Sequence, residues 1–214
     1  MRLSLRVLGS AVAVGLVACF PHMASAQTAI SGVAAGNQGF TGTLGQFFTV
    51  SAFPLTVTNL GAFDGSVAGF AAGTTITVGI SNSTYTSILA QTTFTQASPG
   101  VPGAGSFTFK GTAPTVLPVG SYLLFAYGYN ATDMNHNTFG SLSPFTLNNF
   151  GGVVSYGANA VNGSPNTFPD SSESPTGRYG FASFIGTTPV VPEPGTLALL
   201  GLGMIAGVVA RRRA

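Results

Sequence analysis

The chain has 214 residues, 45% of them hydrophobic and only 6% charged, with one cysteine, no tryptophan and a formal net charge of +2. Five of the seven basic residues, Arg2, Arg6, Arg211, Arg212 and Arg213, stand near the ends; between Gln27 and Val191 two cations, Lys110 and Arg178, face Asp64, Asp133, Asp170 and Glu173, a side-chain charge of −2. That balance excludes a nucleic-acid-binding surface, and with the single Cys19 lying upstream of Gln27 it leaves no disulfide or thiolate metal site in the central part.

Arg2 and Arg6 lead into an apolar run, Val7 to Phe20, followed by the small residues Ala24-Ser25-Ala26. This is the layout of a secretory signal peptide. Residues 1–26 are therefore read as a segment removed by signal peptidase, with Ala24 and Ala26 framing the cleavage site and Gln27 beginning the mature chain. Leu16-Val17-Ala18-Cys19 offers a competing site, since it resembles a lipobox in which Cys19 is lipidated.

Residues 27–188 form one domain rich in Gly, Ser, Thr, Asn, Phe and Val, and the composition points to an all-β fold. In chain order the strand candidates are Leu55 to Leu60, the alternation of Ile76, Val78 and Ile80, Ser87 to Phe94, Phe107 with Phe109, Tyr122 to Tyr129, and Tyr179, Phe181 and Ser183. Alternation gives each strand one apolar face. Tyr122 to Tyr129 is apolar on both faces, as expected of a central strand covered on two sides. Turn signals separate the runs at Asp64-Gly65, Ser98-Pro99-Gly100, Pro102-Gly103, Pro118 to Gly120 and Asn162-Gly163. Asn130 to Asn137 and Val161 to Gly177 read as polar loops. Short strands at this spacing predict a single β-sandwich, jelly-roll-like, without internal repeats.

Candidate chemistry is sparse. His136 and Asp133 share one loop, but a catalytic pair needs a nucleophile and convergence from separate elements, and no Gly-x-Ser-x-Gly elbow occurs. The acids for glycosidic chemistry would have to come from Asp64, Asp133, Asp170 and Glu173, all in turns or loops. The expectation is therefore no enzyme, no cofactor and no metal site. Sugar binding is the alternative function, through tyrosine rings of which Tyr127 and Tyr129 are the leading candidates, with Tyr85 and Tyr156 as further contributors.

Residues 189–214 carry the clearest signal. Pro192-Glu193-Pro194 precede an uncharged apolar run, Thr196 to Ala210, which ends in Arg211-Arg212-Arg213. A helix here would be apolar all round, and with Val190 and Val191 it is long enough for a short or tilted transmembrane span. The arginines hold the cytoplasmic side and act as a membrane stop signal, placing the residues before Pro192 outside.

This order resembles the PEP-CTERM sorting signal of Gram-negative bacteria that make extracellular polysaccharide. The resemblance implies that the membrane enzyme exosortase reads the tripeptide, removes the helix, and releases or transfers the protein to the cell surface. Phe48-Thr49-Val50, Thr56 to Phe63, Thr77-Val78-Gly79-Ile80 and Leu117 to Tyr122 are similar to an uncharacterised exported β-sandwich domain often carried by such proteins. The loop after Phe63 departs from that pattern in having only Asp64, too few carboxylates for calcium. The resulting expectation is a non-enzymatic protein exported across the inner membrane, processed by exosortase and signal peptidase, single-pass and membrane-anchored before cleavage. Its destination is the cell surface or the exopolysaccharide matrix, with a structural role, or alternatively as a polysaccharide-binding module.

Overall fold

The computed structural model describes residues 25–65, 68–139, 143–173 and 176–189. The apolar C-terminal segment, its Pro-Glu-Pro and arginine cluster, and the signal segment through Ala24 lie outside the described residues. Among the described residues no helix is long and apolar enough to cross a membrane. Their longer strands, numbered here in chain order, are β1 Thr43–Val50, β2 Leu55–Phe63, β3 Thr75–Asn82, β4 Ile88–Thr95, β5 Phe107–Leu117, β6 Gly120–Tyr127, β7 Val154–Asn162 and β8 Ala182–Thr187.

The strands form two curled antiparallel sheets. One is six-stranded, in the order Ser171–Glu173, β7, β1, β6, β3, β4; the other is five-stranded, in the order Gln27–Thr28, β8, β2, β5, Val101–Pro102. The all-β expectation holds. β1 lies between β7 and β6, and β8 pairs with β2 on one side and with Gln27–Thr28 on the other.

Between the sheets, aromatic rings from both sides interlock. Phe48 of β1 lies 5.5 Å from Phe184 of β8 and 5.6 Å from Tyr122 of β6, and Phe150 stacks on Phe184 at 5.7 Å. Bulges let this core continue past breaks in the period-two pattern. On β2, Leu55 and Val57 are buried at odd positions and Leu60 and Ala62 at even ones. Against β8, Thr58 is the one extra residue between Val57 and Asn59, while against β5 it faces three, Thr112, Ala113 and Pro114. One inserted residue exchanges the inward and outward parity, and proline is tolerated there because no ladder bond is required of it.

β7 was not evident in the sequence because Gly157 interrupts its pattern, and its pairing to β1 shifts between Tyr156 and Asn159. The Gln46 side chain fills that gap, its Nε2 donating to the Gly157 and Ala158 carbonyls at 2.7 and 3.2 Å. Its Oε1 accepts from Gly177 N at 3.1 Å. The expected strand through Tyr179, Phe181 and Ser183 is broken at Phe181: Tyr179–Gly180 pairs with His136–Asn137, and β8 begins at Ala182.

Parts of the outer faces of both sheets are also covered. On the six-stranded sheet Leu123 and Phe125 point away from the interlayer core yet are fully buried, because Phe168 and Pro169 from the loop after β7 and Tyr85 from the β3–β4 turn lie over them. The segment expected to be a wholly polar loop therefore includes a lid. Outside the five-stranded sheet, Phe145 meets Phe63 and Phe107, each at 5.9 Å, and the Ile30–Ser31/Thr146–Leu147 pair lies alongside.

Gly79 is what allows the Phe125 ring to lie against β3, since a Cβ there would stand 2.4 Å from Phe125 Cζ and 2.8 Å from the Ala90 carbonyl. Gly79→Val is expected to displace the ring and destabilise the domain by about 1–3 kcal/mol, read as a lower urea midpoint with an unchanged slope. An unchanged midpoint would contradict this packing.

Candidate functional site

The described polar chemistry gathers at one end of the sheets, around the end of β2, the segment after β6 and the strap 32–40. Asn135, fully buried, holds the strap: its carbonyl accepts from Asn37 N and Gln38 N, both at 3.0 Å, and its Oδ1 accepts from Phe40 N at 3.2 Å. The Asn37 side chain bonds the Asn137 backbone twice, Nδ2 donating to the carbonyl at 2.9 Å and Oδ1 accepting from N at 2.7 Å. Ser106 Oγ donates to the Ala34 carbonyl at 2.9 Å and accepts from Ala34 N at 3.1 Å. Such local side-chain bonding gives an irregular backbone the partners that a ladder would otherwise supply.

Asp64 and Asp133, distant in sequence, line one cavity of about 200 Å³ with Ala35, Gly36, Phe63, Gly65, Phe70, Thr132 and Met134. That is below the roughly 300–1,000 Å³ usual for small-molecule sites. Their oxygens serve the intervening loop: Asp64 Oδ2 accepts from Gly69 N at 2.9 Å, and both Asp133 oxygens lie within 3.3 Å of Ala71 N. Asp170 and Glu173 lie elsewhere, Asp170 bonded to Asn162 and Glu173 paired with Arg178. His136 Nδ1 donates to the Ala35 carbonyl at 2.8 Å, and its ring packs on Phe63 and Phe145, so it and Asp133 are turned to different partners. Among the described residues no three His, Cys, Asp or Glu side chains are grouped to hold a metal ion.

The tyrosines separate. Tyr129 is 1% exposed, and its Oη accepts from Phe63 N at 3.0 Å while donating to the Phe181 carbonyl. It is a bolt between the end of β6 and the five-stranded sheet, so the expectation that its ring contacts sugar is corrected. Residue identity alone did not reveal this, because the alternation beyond β6 ends at Gly128, where φ is 99°. Tyr127 is half-buried on the outer face of the six-stranded sheet, its ring parallel to Phe125 at 6.4 Å. Tyr85 approaches the same Phe125 edge-on at 4.9 Å. Burial, with Tyr127 nearby, pushes the Tyr85 hydroxyl up to about 12. Tyr156 is turned inward, its hydroxyl 3.1 Å from the Ala29 carbonyl and 3.2 Å from that of Asn148. Ala26, the described residue of the expected signal-peptide site, is exposed and directly precedes the first paired residue, Gln27.

Burial raises the Tyr129 hydroxyl far above the ordinary phenol range, with Asp64 and Asp133 adding to the rise against the lowering by Phe63 N–H. In the unfolded chain a tyrosine ionises near pH 10. The folded state then holds a proton that the unfolded state has lost, so the stabilisation is complete below about pH 10 and declines as pH rises beyond it. Urea midpoints measured from pH 7 upward are expected to fall above about pH 10, and the fall to be shallower in Tyr129→Phe. At neutral pH that variant should cost only about 1 kcal/mol, because Phe63 N–H also reaches the Phe181 carbonyl at 3.1 Å.

No curated protein and no solved structure matches this chain. The match that exists is confined to residues 190–213, which fit the family model described as the PEP-CTERM protein-sorting motif. It covers the Pro192-Glu193-Pro194 tripeptide, the apolar run and the arginine cluster together, so this segment is a PEP-CTERM sorting motif.

Proposed function

We propose that this is a non-enzymatic, exported two-layer β-sandwich protein. Signal peptidase cuts it after Ala26, the apolar segment after Pro194 anchors it transiently in the inner membrane, and exosortase cuts it at Pro192-Glu193-Pro194. The observation that carries the reading is the sorting-motif match over residues 190–213, since PEP-CTERM segments mark proteins for exosortase processing and export. Prolines on both sides of Glu193 disfavour helix and sheet pairing at that tripeptide, which suits a segment a protease must grip. The arginines stop transfer and keep the anchor's end in the cytoplasm.

A structural role at the cell surface or in the exopolysaccharide matrix is favoured by how the described polar groups are used. Asp64, Asp133, His136 and Asn135 are bonded to loop backbone, and Gln46 to the bulged backbone of β7. The second reading, a polysaccharide-binding module, is narrowed to Tyr127 with Tyr85, the half-buried pair beside Phe125. Retention on the native polysaccharide that survives Tyr127→Ala combined with Tyr85→Ala would remove those two residues from this reading, and a wild-type protein that is not retained would remove the reading itself.

The deciding measurement is intact-mass and terminal-peptide mass spectrometry of the protein from its native surface fraction. The expected chain begins at Gln27 and ends near Pro192–Pro194, and Glu193→Ala is expected to leave the anchor attached. A wild-type surface protein that retains Arg211–Arg213 would overturn exosortase processing and make this a permanent single-pass membrane protein.

A further inference from the structure

The domain is chemically polarised along its strands. At one end β1 finishes at Val50, β2 starts at Leu55, β5 finishes at Leu117 and β6 starts at Gly120, with Val50 paired to Gly120 and Leu55 to Leu117. Both chain exits lie at this same end, because Thr187 pairs with Thr56 and Gln27 pairs with Gly186. The residues that build it, 50–56, 115–121, 149–155 and 186–189, include no Asp, Glu, Lys or Arg. Three of its apolar side chains face solvent: Phe53 at 40%, Val116 at 59% and Val119 at 60% exposure. The opposite half carries Asp64, Asp133, Asp170, Glu173 and Arg178, with Lys110 midway on β5. Val33 and Phe139 are exposed there too, but among those charges.

We infer that the uncharged end, through Phe53, Val116 and Val119, is a docking surface for the lipid bilayer interface. The inference rests on the anchor reading above. From Thr187 to Thr196, where the apolar run begins, is nine residues. Fully extended these span at most about 30 Å, and the tether departs from this end of the domain, not from the charged one. Exposed apolar side chains on such an end gain by entering the headgroup boundary, and neighbouring charges would oppose entry. This end has no charged side chain, and the α-amino group that cleavage after Ala26 leaves on Gln27 is its one cation, so docking draws little from anionic lipid and depends weakly on salt. Docking keeps Pro192-Glu193-Pro194 at the bilayer surface until cleavage frees the domain.

The chain has no tryptophan, so Phe53→Trp and, separately, Val119→Trp each create a single fluorescent reporter, with Phe139→Trp as the control at the charged end. The full chain is reconstituted in phosphatidylcholine vesicles, and flotation confirms its attachment. The expected result is blue-shifted emission at positions 53 and 119 that is lost to bromine-labelled lipid and changed little by salt, while the emission at position 139 is retained. Chain that floats but shows no quenching at 53 or 119, or equal quenching at 139, overturns the docking and leaves the anchor standing. Chain that does not float overturns both.

Discussion

A loop that crosses a sheet must find partners for its own amides and carbonyls, and in this domain uncharged side chains supply most of them. Gln46 fills the bulge of β7, Asn135 and Ser106 hold the strap 32–40, and Tyr129 bolts the two sheets together. An unpaired buried backbone group costs about as much as the hydrogen bond it lacks. The covering loops therefore stay in place only where such a side chain meets them. Asn, Gln, Ser and Tyr do this without the desolvation cost of a charge, which is how so weakly charged a chain can hold loops over parts of both outer sheet faces.

The same economy shapes where function can reside. The histidine and the acids of the cavity are bonded to backbone, the cavity is small, and the aromatic rings are largely core. What distinguishes one part of the surface from another is the placement of charge and of the chain exits. Charged side chains gather at the looped end and midway along β5, while the end from which the chain leaves toward the sorting motif has none.

Bulges explain much of what was hard to read. Period-two alternation identified β3 and the inward face of β6, where no residue is inserted. It failed at β7, whose register shifts beside Gly157, and it ran β8 back across Phe181 into a separate short pairing. Local alternation cannot register an inserted residue, because the insertion reverses the faces without altering the residue types on either side. Tyr129 illustrates the cost of that blindness. By composition it was a tyrosine one alternation beyond Tyr127, but the left-handed Gly128 turned it inward to the Phe63 and Phe181 backbone.

Sequence by itself determined the all-β class, the near-neutral central domain and the sorting motif, since each depends on residue order or composition within a short window. The motif needs only a tripeptide, an apolar run and a basic cluster in succession, which is why it was legible without a fold. Tertiary structure alone decided that β1 lies between β7 and β6, that Asp64 and Asp133 share a cavity, that Tyr127 and Tyr129 part company, and that both chain exits leave from the uncharged end. Those facts come from pairings between residues dozens to more than a hundred positions apart, and such partners are chosen by the packing of the whole core, which no local pattern encodes.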